Sequence, residues 1–216
     1  MKNSKLNKNI KISLLAVIAF LLMFIEVSIP IFPEFLKIDI SDLPALIGTF
    51  AFGPIAGVII EFMKNVLHGL FASTTAFIGE FANFLVGSMM VITAGLIYNR
   101  KKDKKCAVIA LIAGTLVMSL GAAIVNLLVL LPMYEKVLGF PISSVIGMSS
   151  KVNPKVINLG TLIIWAIIPF NLIKGAIVCV MTRLVYKSVS PILHKEQIKI
   201  ANEDFEKNIN NSIGNK

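Results

Sequence analysis

The residues that could do chemistry in this chain are few, and most of them stand inside apolar runs. Asn171 and Lys174 are three apart, which puts them on roughly one helix face. Pro169, just ahead of them, removes a backbone donor and leaves a carbonyl open nearby. A lysine this far from either end of an apolar run cannot easily snorkel to water, so it needs either a solute or a carboxylate such as Glu61. Asn126 stands about two turns before Pro132 and offers donors and an acceptor together. It suits a solute site or an interhelical hydrogen bond equally. Glu61, Lys64 and His68 share one face at i, i+3 and i+7; with His194 far away in the tail, a metal site is rejected and an internal Glu61–Lys64 salt bridge is favoured. Glu80 and Asn83 face one direction near an outer mouth, and either role stays open for them.

Catalytic constellations do not appear. The sequence holds no G-x-x-x-x-G-K-[ST] phosphate loop, no G-x-S-x-G, no H-E-x-x-H and no paired-cysteine motif. Cys106 and Cys179 lie in or at the edge of apolar runs and read as small hydrophobes. The pattern is that of a binding protein, not an enzyme.

The elements that position these residues read as membrane helices. Of 216 residues, 56% are hydrophobic and only 15% charged, against about 45–50% and about 25% in a soluble domain. The formal charge of +9 collects beside the apolar runs, where it orients helices and does not imply nucleic-acid binding. Lys2, Lys5, Lys8 and Lys11 precede a first span at Ile12–Ile29, read as retained with its N-terminus in the cytoplasm. Ala16 and Ala19 give that helix one small-residue side for close approach by another helix.

Ile29–Asp42 is expected to be a loop, held out of helix by Pro30 and Pro33. Leu43–Phe52 is a short apolar segment, and Pro54 suits the first turn of a new helix over Pro54–Leu70. Counting these two as separate spans returns the basic loop Asn99–Lys105, five Lys or Arg against one Asp, to the cytoplasm. Ala76–Tyr98 and Cys106–Met133 follow as spans, then an outer loop Tyr134–Asn158, then a last span Leu159–Tyr186. The expectation is an all-α integral membrane protein of six transmembrane helices, N- and C-termini cytoplasmic. Residues 1–187 form the membrane unit and 188–216 a cytoplasmic tail.

Four blocks then carry a resemblance. FLKIDISDLPALIGTFAFGPIAG followed by KNVLH, then NLLVLLPMY, then IIPFNLIKG resemble the riboflavin-specific substrate-binding (S) components of energy-coupling-factor (ECF) transporters, in the same order and over nearly all the chain from the first helix to Arg183. The resemblance implies a multi-pass protein of the bacterial cell membrane that captures riboflavin from outside. It implies docking onto a membrane coupling subunit and two cytoplasmic ATPases, whose ATP hydrolysis drives inward release. It implies no cofactor; riboflavin is the transported substrate. In the family the last-helix amide and lysine contact the flavin, which are here Asn171 and Lys174. The asparagine ahead of L-x-P-x-Y is here Asn126, and the loop that closes over the ligand points to Leu36, Lys37 and Asp39. Many members carry small residues four apart in the first helix for docking; here Ala16 is followed by Phe20, and the small pair is Ala16 with Ala19.

The chemistry agrees with that implication. Riboflavin is flat and uncharged near neutral pH, with an imide edge that pairs with asparagine amides and ring carbonyls that accept from lysine. Phe and Leu side chains suit the ring faces. Trp165 and Tyr134 are read first as interfacial anchors. Two alternatives remain: an S component for another vitamin such as thiamine or for a flavin nucleotide (FMN), whose phosphate Lys37 could serve, or a secondary transporter using Glu61 or Glu80 as proton carrier.

Overall fold

Gly53 and Pro54 set the centre of the fold. In the computed structural model, which describes residues 3–185, α2 (Asp42–Phe52) stops where Gly53 takes φ 94°, a left-handed conformation that favours glycine. The Gly53 amide still donates to Thr49 O at 2.9 Å, closing the last turn. Pro54, with no N–H to satisfy, opens α3 (Pro54–Ala72). α2 is only about 16 Å long, and ten of its eleven residues are buried. An α-helix that is apolar all round belongs inside a bundle, and α1 (Asn3–Met23), α3 and α4 (Ile78–Tyr98) pack around it.

Two long helices complete the bundle. One runs Lys104–Leu138 as α5 (Lys104–Val125), a π-helical turn at Asn126–Leu130 and α6 (Leu131–Leu138). Asp103 caps its start, its carboxylate accepting from Cys106 N at 2.7 Å. The other runs Leu159–Val185, beginning as α8 (Leu159–Leu162) and passing through a π-helical turn at Ile163–Ile167. Among the described residues five helices are long and apolar enough to cross a membrane, with α2 as a shorter sixth apolar segment.

Small residues let these helices approach. Ala16 and Ala19 are fully buried in one core with Ala45 and Leu46 of α2 and Ile60 of α3. The small-residue side of α1 thus closes the bundle itself and is not an outward-facing surface. At Gly114 an added Cβ would lie 3.0 Å from Met90 O, so α5 comes close to the α4 backbone.

Three boundaries differ from the sequence expectation. α1 stops at Met23, short of Ile29, because Val27–Ser28 (β1) pairs antiparallel with Lys37–Ile38 (β2), so the expected loop is a small hairpin. β-branched Val27 and the nearby Pro30 favour extended backbone over another helical turn. The fifth span continues past Met133 to Leu138 and ends on Gly139, whose φ of 63° makes the left-handed cap. The expected loop Tyr134–Asn158 also contains α7 (Ile142–Val152), an amphipathic helix burying Val145 and Ser149 one turn apart. The expected tail 188–216 lies outside the described residues.

Candidate functional site

Both long helices are distorted in the same way beside one cavity. Leu131 N donates to Asn126 O and Ile168 N to Ile163 O, each reaching five residues back. Each donor immediately precedes a proline, Pro132 or Pro169, which has no N–H to continue the ladder. A π turn widens the helix locally, a distortion frequent at functional sites.

Asn126 opens the first of these turns, and Asn171 lies four residues past the end of the second. Asn126 donates from Nδ2 to Ala122 O at 2.8 Å, and Asn171 from Nδ2 to Ile167 O at 2.8 Å. A carbonyl can accept only from the NH2 side of an amide, so each Oδ1 remains an acceptor and each NH2 keeps a second donor.

The cavity has a volume of about 350 Å3, at the lower end of the ordinary range for small-molecule sites. Leu36, Lys37, Asp39, Asn126, Asn171 and Lys174 all line it. The structure therefore brings together the six residues to which the resemblance pointed, from the hairpin and the loop after it, the π turn and the last helix. Phe35, Phe170, Met23 and Met118 add apolar surface. Tyr134, read from the sequence first as an interfacial anchor, also lines it, whereas Trp165 lies outside with Lys155 Nζ 4.4 Å from its ring centre.

A buried charge network forms one wall. Lys174 Nζ lies 2.9 Å from Asp39 Oδ2 and 3.6 Å from Asp42 Oδ2. Lys64, fully buried, contacts Asp42 Oδ1 and lies 2.9 Å from both Glu61 Oε2 and Ser41 Oγ. Ser41 in turn donates from both N and Oγ to Asp39 Oδ1. The expected Glu61–Lys64 pair is present, and the carboxylate partners of Lys174 are Asp39 and Asp42. Burial pushes the loop carboxyl of Asp39 up, but the Lys174 and Lys64 ammonium groups and the Ser41 hydrogen bond together outweigh this and hold it below the usual carboxylate range. Buried ions persist only when paired and hydrogen-bonded in this manner.

Asp42 is the member of this wall that the sequence did not single out. Its signal was available: an acidic residue at the first turn of an apolar helix, three after Asp39, at the end of the loop expected over Ile29–Asp42. Further polar residues line the same cavity, among them Glu26, His68, Glu80 and Asn83. His68 Nδ1 pairs with Glu80 Oε1 at 3.0 Å, across to α4, and Glu80 Oε2 accepts from the hydroxyls of Ser73 and Thr75. Asn83 Nδ2 donates to Asn65 Oδ1 at 3.1 Å. The site offers amide acceptors, the ammonium groups of Lys37 and Lys174, and apolar walls. It can hold and orient a flat polar-edged solute.

The family model for the ECF transporter, substrate-specific component, matches residues 7–186. The chain is similar to "Riboflavin transporter RibU" of Staphylococcus aureus (strain TCH60), 39% identical over 194 residues that span 89% of this chain and 96% of that protein. It is 31% identical to "Riboflavin transporter FmnP" of Bacillus subtilis (strain 168) over 195 residues, 89% of this chain and 97% of that one. A solved structure described as "Structure and mechanism of the S component of a bacterial ECF transporter" superposes with a TM-score of 0.69 at 36% identity, covering 88% of this chain and 98% of its own. With apolar helices long enough to cross a membrane and a polar cavity between them, this chain belongs to the substrate-specific components of ECF transporters, a family of transporter subunits and not of enzymes.

Proposed function

We propose that this chain is the riboflavin-capturing subunit of an ECF transporter in a bacterial cell membrane. It takes riboflavin from outside and releases it inward when docked to a membrane coupling subunit and two cytoplasmic ATPases. In this reading α2 counts with the five longer helices as six spans, both termini are cytoplasmic, and residues 188–216 are a cytoplasmic tail beyond the membrane unit 1–187. The basic loop Asn99–Lys105 supports that orientation.

One observation carries the riboflavin reading: Asn126 from one long helix and Asn171 with Lys174 from the other line a single cavity with the loop residues Leu36, Lys37 and Asp39. Asparagine Oδ1 accepts from the imide N–H of the flavin, and Lys174 donates to a ring carbonyl. Phe35, Leu36 and Phe170 cover the ring faces, and loop hydroxyls and carboxylates near the mouth meet the ribityl hydroxyls. The similarity to curated riboflavin transporters points the same way.

The direct test is the absorption spectrum of the detergent-purified protein from a flavin-producing host. Flavin bands, lost in Asn171→Ala, support ligand and site together. A colourless protein that does not quench added riboflavin fluorescence removes the flavin and leaves the family.

A further inference from the structure

The connection between the two long helices carries charge that the cavity does not use. Residues 134–158 hold three lysines, Lys136, Lys151 and Lys155, against one acidic residue, Glu135. In the orientation proposed above this segment lies outside, where an excess of lysine runs against the usual distribution. Lys37, Lys64, Lys101 and Lys174 each have a carboxylate partner. Among the described residues, Lys136, Lys151 and Lys155 form no such pair.

α7 and the turn after it hold two of these groups at a surface. The inner side of α7 packs Val145 into one core with Val156 and Leu162. Met148, Lys151 and Val152, at i, i+3 and i+4, are exposed together on another side. Asn153 and Pro154 then turn the chain, with Val156 N donating to Asn153 O at 2.9 Å and Lys155 N to Asn153 Oδ1 at 3.1 Å. Buried Val156 anchors this turn, and Lys155 Nζ stands 4.4 Å from the centre of the Trp165 ring. Trp165 is 44% exposed and the neighbouring Ile157 73%.

An ammonium group over an indole face still has N–H groups to donate outward. Exposed apolar side chains beside it suit the boundary between acyl chains and headgroups, where tryptophan collects and a basic amphipathic helix is drawn to anionic lipid. We propose that α7 and the turn after it bind an anionic phospholipid of the outer leaflet. Lys151 and Lys155 donate to its headgroup phosphate, and Trp165, Met148, Val152 and Ile157 meet the upper acyl chain. A zwitterionic lipid brings its own cation and leaves the two ammonium groups uncompensated. The choice of leaflet rests on the proposed orientation; the preference for an anionic headgroup does not.

The experiment uses the purified full-length protein in nanodiscs, where Trp165, the single tryptophan of the chain, is the reporter. Its fluorescence is quenched by lipid brominated in the acyl chains: brominated phosphatidylglycerol among plain phosphatidylcholine, or the reverse. Bromine content is held equal, and each signal is normalised to unbrominated lipid. The wild type is expected to favour phosphatidylglycerol beside Trp165 by about fivefold or more, the scale of one lysine near an anionic surface. Lys151→Gln with Lys155→Gln should bring that preference close to unity. Lys101→Gln with Lys102→Gln, the same loss of charge in the basic loop, should leave it in place. Equal quenching in the wild type, or a preference kept without Lys151 and Lys155, overturns the proposal. Failure of the riboflavin reading shows separately, as a colourless protein whose lipid preference is unchanged.

Discussion

Lys174 Nζ lies 2.9 Å from Asp39 Oδ2, joining the last helix to the loop ahead of α2 across 135 residues of sequence. Removing Lys174 leaves the Asp39 carboxylate without its nearest ammonium group, a loss of up to about 3–5 kcal/mol when a buried pair is broken. Lys174→Met should therefore lower thermal stability in detergent, and Asp39→Asn added to it should recover part of the loss. A double variant no more stable than Lys174→Met would show that the pair is not coupled.

The amides should behave differently. Asn126 and Asn171 each donate only to a carbonyl one turn back in their own helix. Alanine at either position should leave the melting temperature nearly unchanged while riboflavin affinity falls by about tenfold or more, the scale of a hydrogen bond lost to a buried ligand group. Fluorescence quenching measures the affinity, and unchanged binding in both variants would argue against the assigned site.

Gly87 faces the Glu61 carboxylate, and an added Cβ would meet Oε2 and Cδ closer than real side chains approach. Glu61 cannot retreat without leaving Lys64 Nζ, 2.9 Å away. Gly87→Ala should therefore destabilise the protein by about 1–3 kcal/mol, read as a lowered unfolding temperature. Wild-type stability would mean that the carboxylate has room to move.

The pH dependence follows from Asp39. Its carboxyl is held below the usual range in the folded protein, so its contribution is fully present above the unfolded pKa of about 3.9 and is lost as pH falls toward the folded value. The stability difference between wild type and Asp39→Asn should stay constant from about pH 8 to pH 5 and shrink below about pH 4. Thermal unfolding of the two proteins in parallel isolates this group from the others. A difference that shrinks already near pH 6 would contradict the assignment.

Much of this architecture was legible before any coordinates. Apolar runs of membrane length, the Gly53–Pro54 break and the basic loop Asn99–Lys105 are local features, and local features set helix starts, stops and composition. Asn126, Asn171 and Lys174 stood out because a polar group in an apolar run needs a partner. The pairing of Glu61 with Lys64 was legible for the same reason, since i and i+3 meet on any helix.

What the sequence by itself determined, then, was which segments enter the apolar phase and which polar residues need partners there. Which partner each one takes was decided only by the tertiary structure. Asp39 and Asp42 hold Lys174, Glu26 holds Lys37, and Glu80 holds His68, all between elements whose relative placement no local pattern encodes. The hairpin of Val27–Ser28 with Lys37–Ile38 and the helix α7 were hidden for a related reason: two-residue strands and a half-polar helix are stabilised by what they pack against. Helix boundaries follow from the chemistry of neighbouring residues, whereas ion pairs across the bundle follow from packing. That packing closes an apolar bundle around groups that cannot be buried alone.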